Sequence, residues 1–119
     1  GGLDGLVAAI GETLADRVTA GLTQPDPPPA SYAALIEALL RRLFDLLVQD
    51  ALVRRIAAWE LADPSPLTLP LAAARSAGLQ QWVAAMRGNL APPAGIDAPA
   101  VNALLIGGVQ QFALAAAAA

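Results

Sequence analysis

Cysteine, histidine and lysine are all absent from the 119 residues. Without the first two there is no usual zinc ligand set, no thiol nucleophile, no disulfide framework and no imidazole base. Without lysine there is no Schiff-base amine and no ammonium for a phosphate-binding loop. Aromatic residues are scarce at 4%, and with Val and Ile also sparse the composition argues against strands. Charge is thin: 14% of residues are ionisable, the seven cations are all Arg, and the net charge is −3. Such a chain lacks the clustered cations that phosphate neutralisation needs, so it is not expected to grip nucleic acid alone. What is plentiful is Ala, 29 residues, and Leu, 20 residues, the strongest helix formers. A single all-α domain over residues 1–119 is the expectation, with room for one core.

No positively charged segment precedes the early apolar stretch, which itself holds Asp4 and Glu12. A signal peptide is therefore not expected, and a cytoplasmic location follows, in keeping with the absence of Cys. The uncharged run Ala98–Ala119 is long enough to span a bilayer. Asn102, Gln110 and Gln111 interrupt it, Pro99 stands near its start, and no basic cluster or aromatic belt flanks it. The better reading is a helix buried between protein surfaces, with no membrane partner.

The ten prolines fall into three clusters, Pro25 to Pro29, Pro64 to Pro70 and Pro92 to Pro99. Proline loses a donor and clashes with the preceding turn, so each cluster marks a connection. The spaces between predict five helices, near 3–23, 31–48, 51–62, 68–90 and 98–118, packed as an antiparallel bundle. The first carries an apolar stripe of Leu3, Leu6, Val7, Ile10, Leu14 and Val18. The second is capped by Ser31 and buries Tyr32, Leu35, Ile36, Leu39, Leu43, Phe44 and Leu47, with Glu37, Arg41 and Asp45 stepping along the solvated side. Asp50 caps the third, whose expected inner face is Leu52, Ile56 and Trp59, and Asp63-Pro64 stops it. The fourth runs a stripe of Leu79, Trp82, Val83, Met86 and Leu90.

Asp97 caps the last helix, and Pro99 falls in its first turn, where a missing N–H costs nothing. Here two apolar stripes run side by side. Val101, Leu104, Leu105, Gly108, Phe112 and Ala115 make one; Ile106, Val109, Ala113 and Ala116 make the other. A helix apolar on two sides is buried on two sides, and a chain this short covers only one of them with its own core. The other side is expected to meet a second copy, with Val101, Leu105, Gly108, Val109 and Phe112 as candidate dimer-interface residues and Gly107-Gly108 permitting close backbone approach.

Gly1-Gly2-Leu3-Asp4-Gly5-Leu6-Val7-Ala8-Ala9-Ile10 resembles the junction that follows the recognition helix in tetracycline-repressor-like (TetR family) transcriptional regulators, with Leu3 where that family usually has Lys. Asp50-Ala51-Leu52-Val53-Arg54-Arg55-Ile56, with Glu60 downstream, is similar to the start of the family's short sixth helix. Asp97 to Gly107 is similar to the opening of its eighth. The resemblance implies a TetR-like regulatory domain: an effector pocket among the middle helices, a homodimer through the last helices, and operator DNA reached only through an N-terminal helix-turn-helix unit outside these residues. The resemblance also implies a further final helix, expected to be absent from these residues or reduced to the alanine run. Effector binding would favour one arrangement of the helices and change the spacing of the paired DNA-reading units. The first helix would be the lever.

Bulky groups among small ones mark the candidate ligand residues: Phe44, Trp59, Trp82 and Met86, with Arg55 or Gln81 giving a polar contact to an apolar or aromatic molecule. For any one of them, filling a core of Ala and Leu is the commoner role. Arg54 and Arg55 more often make a solvated face than an anion site. Glu60 and Asp63 lack the partners that catalysis needs. No enzyme activity, metal or cofactor is expected. The alternative to a regulator is a helical protein–protein interaction module without a pocket, which predicts a filled core and an exposed apolar groove. The regulator predicts a cavity enclosed by the first four helices.

Overall fold

The computed structural model describes residues 2–22 and 24–118. Gly1, Thr23 and Ala119 lie outside the described residues, as do the first letter of the junction motif, the expected end of the first helix at 23 and the last residue of the alanine run. The chain is all-α, 78% helical in five helices, with no strand among the described residues. In order these are α1 (Gly2–Gly21), α2 (Tyr32–Gln49), α3 (Ala51–Ala62), α4 (Leu69–Arg87) and α5 (Ala98–Ala118). The fourth helix stops three residues before the expected end, because Gly88 turns to a positive φ of 51°, a conformation that only glycine adopts without strain.

Local chemistry sets the boundaries. The Ser31 hydroxyl accepts from the Ala34 N–H and opens α2. Asp97 Oδ1 accepts from the Ala100 N–H and opens α5. Asp50 closes α2 and opens α3: its Oδ1 accepts from the N–H groups of Leu52 and Val53 at 3.1 and 3.2 Å. Arg54 then reaches back and donates to the carbonyls of Leu47 and Val48 at 3.1 and 2.6 Å, satisfying orphan acceptors at the end of α2. Hence the Arg54/Arg55 pair divides. Arg54 holds a helix terminus, and Arg55 is exposed.

Packing follows from α2. Leu35, Leu39, Leu43 and Leu47 recur every four residues and are fully buried, each worth roughly 1.5–3 kcal/mol by transfer. This helix packs chiefly against α5, while α1 packs chiefly against α4. The α1–α4 seam is made of small residues: a Cβ added at Gly11 would stand 3.4 Å from Ala74 Cβ, and one at Gly78 would stand 3.8 Å from Ala15 Cβ. Only the second half of the α1 stripe is covered. Leu14 and Val18 are buried, whereas Leu3, Leu6 and Ile10 are exposed.

The inner face of α3 differs from the sequence expectation. Val53, Ala57 and Glu60 point inward, and Leu52 and Trp59 are exposed. The helix is turned by about one residue because Glu60 meets a buried arginine (below). Leu52 and Ile56 instead line an open groove with Ile10 and Thr13 of α1.

A guanidinium from α1 also reaches the α2–α3 junction. Arg17 donates to both Asp50 oxygens at 2.9–3.1 Å. Burial raises the Asp50 pKa, but the Val53 N–H, Arg17 and the Leu52 N–H outweigh it and hold the carboxyl below its ordinary value. A group lowered in the folded state stabilises above its unfolded pKa, about 3.9, and that contribution fades as pH falls through the lower folded value. Asp50→Ala is expected to cost about 1–2 kcal/mol at pH 7, mostly through the lost cap, since a half-exposed ion pair adds little. In urea unfolding the gap between variant and parent narrows below about pH 4. An unchanged gap at pH 7 and at the acid limit would refute this account.

Candidate functional site

The last helix turns two of its three amide side chains, Asn102 and Gln110, toward the fold and leaves Gln111 exposed. Ala98, Asn102, Ile106 and Ala113 face the other helices and are buried, with Val109 and Gln110 half-buried beside them. Val101, Leu104, Leu105, Gly107, Gly108 and Phe112 are exposed, Leu104 at 77% and Phe112 at 74%. Of the two stripes expected along this helix, the first is exposed throughout, and the second is buried at Ile106 and Ala113, half-buried at Val109 and exposed at Ala116. A Cβ at Gly107 or Gly108 would meet nothing within 4 Å. Among the expected interface residues, Val109 sits differently. It lies half-buried beside Leu40 and Phe44 of α2, in a groove that Phe112 also lines.

Two polar ties fix which side of α5 faces inward. Near its start, Asn102 Nδ2 donates to the Tyr32 hydroxyl oxygen at 2.9 Å, and both residues are buried. Half-way along, the Gln110 amide oxygen accepts from Arg75 Nε and Nη2 at 3.1 and 2.8 Å. Arg75, on α4, also donates through Nη1 to Glu60 Oε1 of α3 at 2.9 Å. Its Nη2 lies 2.6 Å from Glu60 Oε2, in ionic contact although no donor is aligned on that oxygen. The two charged side chains are 8% and 6% exposed. Glu60, Arg75 and Gln110 therefore join three helices through one buried charged contact.

Between the starts of α2 and α5 lies an open cleft of about 320 Å³. Tyr32 and Asn102 contribute to its lining, with walls of Ile36, Leu40, Ile96 and Leu105 and with Glu37 at its edge. Glu37 is engaged by Arg41 at 2.8 Å. Further along the same two helices, the groove of Leu40, Phe44, Val109 and Phe112 continues over the surface.

The chain matches no protein-family model, no curated protein and no solved structure. What it does must be read from its own surface.

The six candidate ligand residues do not converge on one chamber. Trp82 is 4% exposed, and its Nε1 donates to the Leu22 carbonyl oxygen at 3.1 Å, so it ties α4 to the end of α1. Trp59 is 42% exposed on the outer side of α3. Arg55 and Gln81 are exposed, Met86 packs half-buried against the core, and Phe44 belongs to the α2–α5 groove. The physical reason is the rotation of α3, which carries Trp59 outward, together with an indole that fills the interior where a chamber was expected. Trp82→Phe is expected to cost roughly 1–3 kcal/mol in urea unfolding, because it strands a buried carbonyl. Trp59→Phe should stay within about 0.5 kcal/mol of the parent. Equal costs for the two would contradict these placements.

Nothing in the sequence pattern marks Arg75, Asn102 or Gln110 as inward-facing groups. The last two stood out only as breaks in an apolar run. A polar residue inside such a run is itself a signal, since burial is affordable where a partner waits on another helix.

Proposed function

We propose that the chain is the effector-binding and dimerisation domain of a TetR-like transcriptional regulator. Operator DNA would be reached through an N-terminal helix-turn-helix unit outside these residues, and the protein would work in the cytoplasm as a homodimer. One observation carries the reading: α5 turns Asn102 and Gln110 inward and Val101, Leu104, Leu105, Gly107, Gly108 and Phe112 outward. A flank this apolar marks an interaction surface, and a single self-complementary flank is what a two-fold pair uses. The likeness of residues 1–10, 50–56 and 97–107 to TetR-family stretches supports the regulator over other dimeric helical domains.

The same helix is long and apolar enough to cross a membrane by length and composition. A protein partner is the better reading, because pulling α5 into lipid would break the Asn102 and Gln110 ties and strip cover from the Arg75–Glu60 pair. In the regulator, α1 would be the lever. It lies along α4 through the glycine seam and is held at its far half by Arg17 on Asp50. An effector that fits one placement of α1 better would shift the pair of DNA-reading units.

Light scattering across micromolar concentrations tests the reading. A concentration-dependent dimer is expected, and a strict monomer would overturn it, as would a complete protein with no helix-turn-helix ahead of residue 1. The second reading, an interaction module without a pocket, is favoured by the filled space around Trp82 and by the open character of the clefts on the surface. Saturable binding of a small molecule separates the two.

A further inference from the structure

We infer that the cleft between the starts of α2 and α5 binds a small uncharged amphiphile: an apolar body carrying one polar head that both accepts and donates a hydrogen bond. The inference rests on the effector-binding half of the proposed function and gives that half a location and a ligand chemistry. It moves the site away from the tryptophans, to residues 32–40 of α2 and 96–105 around the start of α5.

The polar pair makes the case. Tyr32 and Asn102 are 9% and 4% exposed, and both line the cleft. Their one mutual bond runs from the Asn102 amide N–H to the Tyr32 oxygen. Among the described residues, that leaves the Tyr32 hydroxyl proton and the Asn102 amide oxygen with no protein partner. The pair opens onto the cleft rather than standing as a sealed, unpaired donor and acceptor, and a head group that answers both exchanges cleft water for matched hydrogen bonds. Around them the walls are hydrocarbon, from Ile36, Leu40, Ile96 and Leu105. At about 320 Å³ the cleft falls at the small end of ligand sites, and its make-up, apolar walls with a few convergent polar groups, is theirs.

Charge selects a neutral ligand. Among the described residues, Glu37 is the one ionisable side chain at the rim apart from the Tyr32 phenol, and its carboxylate is already paired with Arg41. An anionic head would meet a carboxylate with no cation free to receive it. A cationic head would have to displace Arg41 from an exposed position, where ion pairs contribute little.

The probe is 4-butylphenol, titrated into the chain with its isoleucine methyl groups isotope-labelled for NMR. The sequence has five isoleucines, conveniently dispersed. Ile36 and Ile96 line the cleft, Ile10 and Ile56 line the α1–α3 groove, and Ile106 is in the core. Saturable shifts at Ile36 and Ile96 are expected. Butylbenzene, without the head, and 4-butylbenzoate, with a charged one, should bind at least fivefold more weakly. Asn102→Leu should weaken 4-butylphenol about five- to tenfold, the size of one net hydrogen bond, and leave butylbenzene unchanged. Should that variant unfold, Tyr32→Phe removes the hydroxyl alone and carries the same expectation.

Shifts confined to Ile10 and Ile56, no shift up to millimolar probe, or equal affinity for 4-butylphenol and butylbenzene would each overturn the inference. Light scattering on the same samples keeps the two proposals apart. A monomer that binds at Ile36 and Ile96 retains the cleft and removes the dimer, and a dimer with a silent cleft does the reverse.

Discussion

Glu60→Leu is expected to destabilise the chain by about 3–5 kcal/mol, because it leaves the Arg75 guanidinium buried with only an amide oxygen for company. A domain of this kind is stable by some 5–15 kcal/mol in all, so the loss is a large share of the total. With a urea m-value of about 1–3 kcal/mol/M, the unfolding midpoint should fall by more than about 1 M. The paired replacement Glu60→Leu with Arg75→Met removes both charges and leaves a hydrocarbon contact of similar volume. It should recover most of the lost stability, since buried ion pairs seldom outperform well-packed apolar substitutes. Gln110 would then lose its donor, which sets a residual cost of roughly 1 kcal/mol. If the single substitution cost less than about 1 kcal/mol, the three side chains would not form the closed contact described above. The cycle thus measures how firmly α3, α4 and α5 are joined at one point.

The second large effect lies on the opposite side of α5. Leu104→Glu combined with Phe112→Glu should convert the proposed dimer to a monomer at micromolar concentration while leaving the protomer folded. Both side chains are about three-quarters exposed in the protomer, and exposed positions tolerate charge within about 0.5 kcal/mol. In a two-fold interface each substitution counts twice. Burying a phenylalanine removes on the order of 200 Å² from water, or several kcal/mol at about 25 cal/mol per Å². A weakening of more than about a hundredfold, near 3 kcal/mol, is therefore expected, read by light scattering alongside unchanged helicity in circular dichroism. A dimer that survived both glutamates would have to be built on another face.

The start of α2, the α2–α3 junction and the start of α5 were legible in the sequence because their causes are local. Ser31, Asp50 and Asp97 act within three residues of themselves, and the prolines act on their own turn. The buried face of α2 was equally open to reading, since its leucines repeat at helical spacing with charges opposite. Helix α3 was not. Leu52, Ile56 and Trp59 look like an inner face until the partner of Glu60 is known, and Arg75 stands 15 residues away. The candidate ligand residues failed to gather for the same reason. Spacing within a helix says which side chains share a side, but it cannot say which sides of different helices look at one another. The exposed stripe of α5 needed no partner to be known, because Val101, Leu104, Leu105, Gly108 and Phe112 share a side by helical spacing alone.

The inward placement of Asn102 and Gln110 has a further effect. A helix with leucines outside could in principle roll about its axis and hide them, as amphipathic segments do when left without company. Here a roll would tear Asn102 from Tyr32 and Gln110 from Arg75, so the oily flank stays locked toward solvent. The protomer is stickiest where it is least able to adjust, and in dilute solution it should cling to surfaces and detergents sooner than it unfolds.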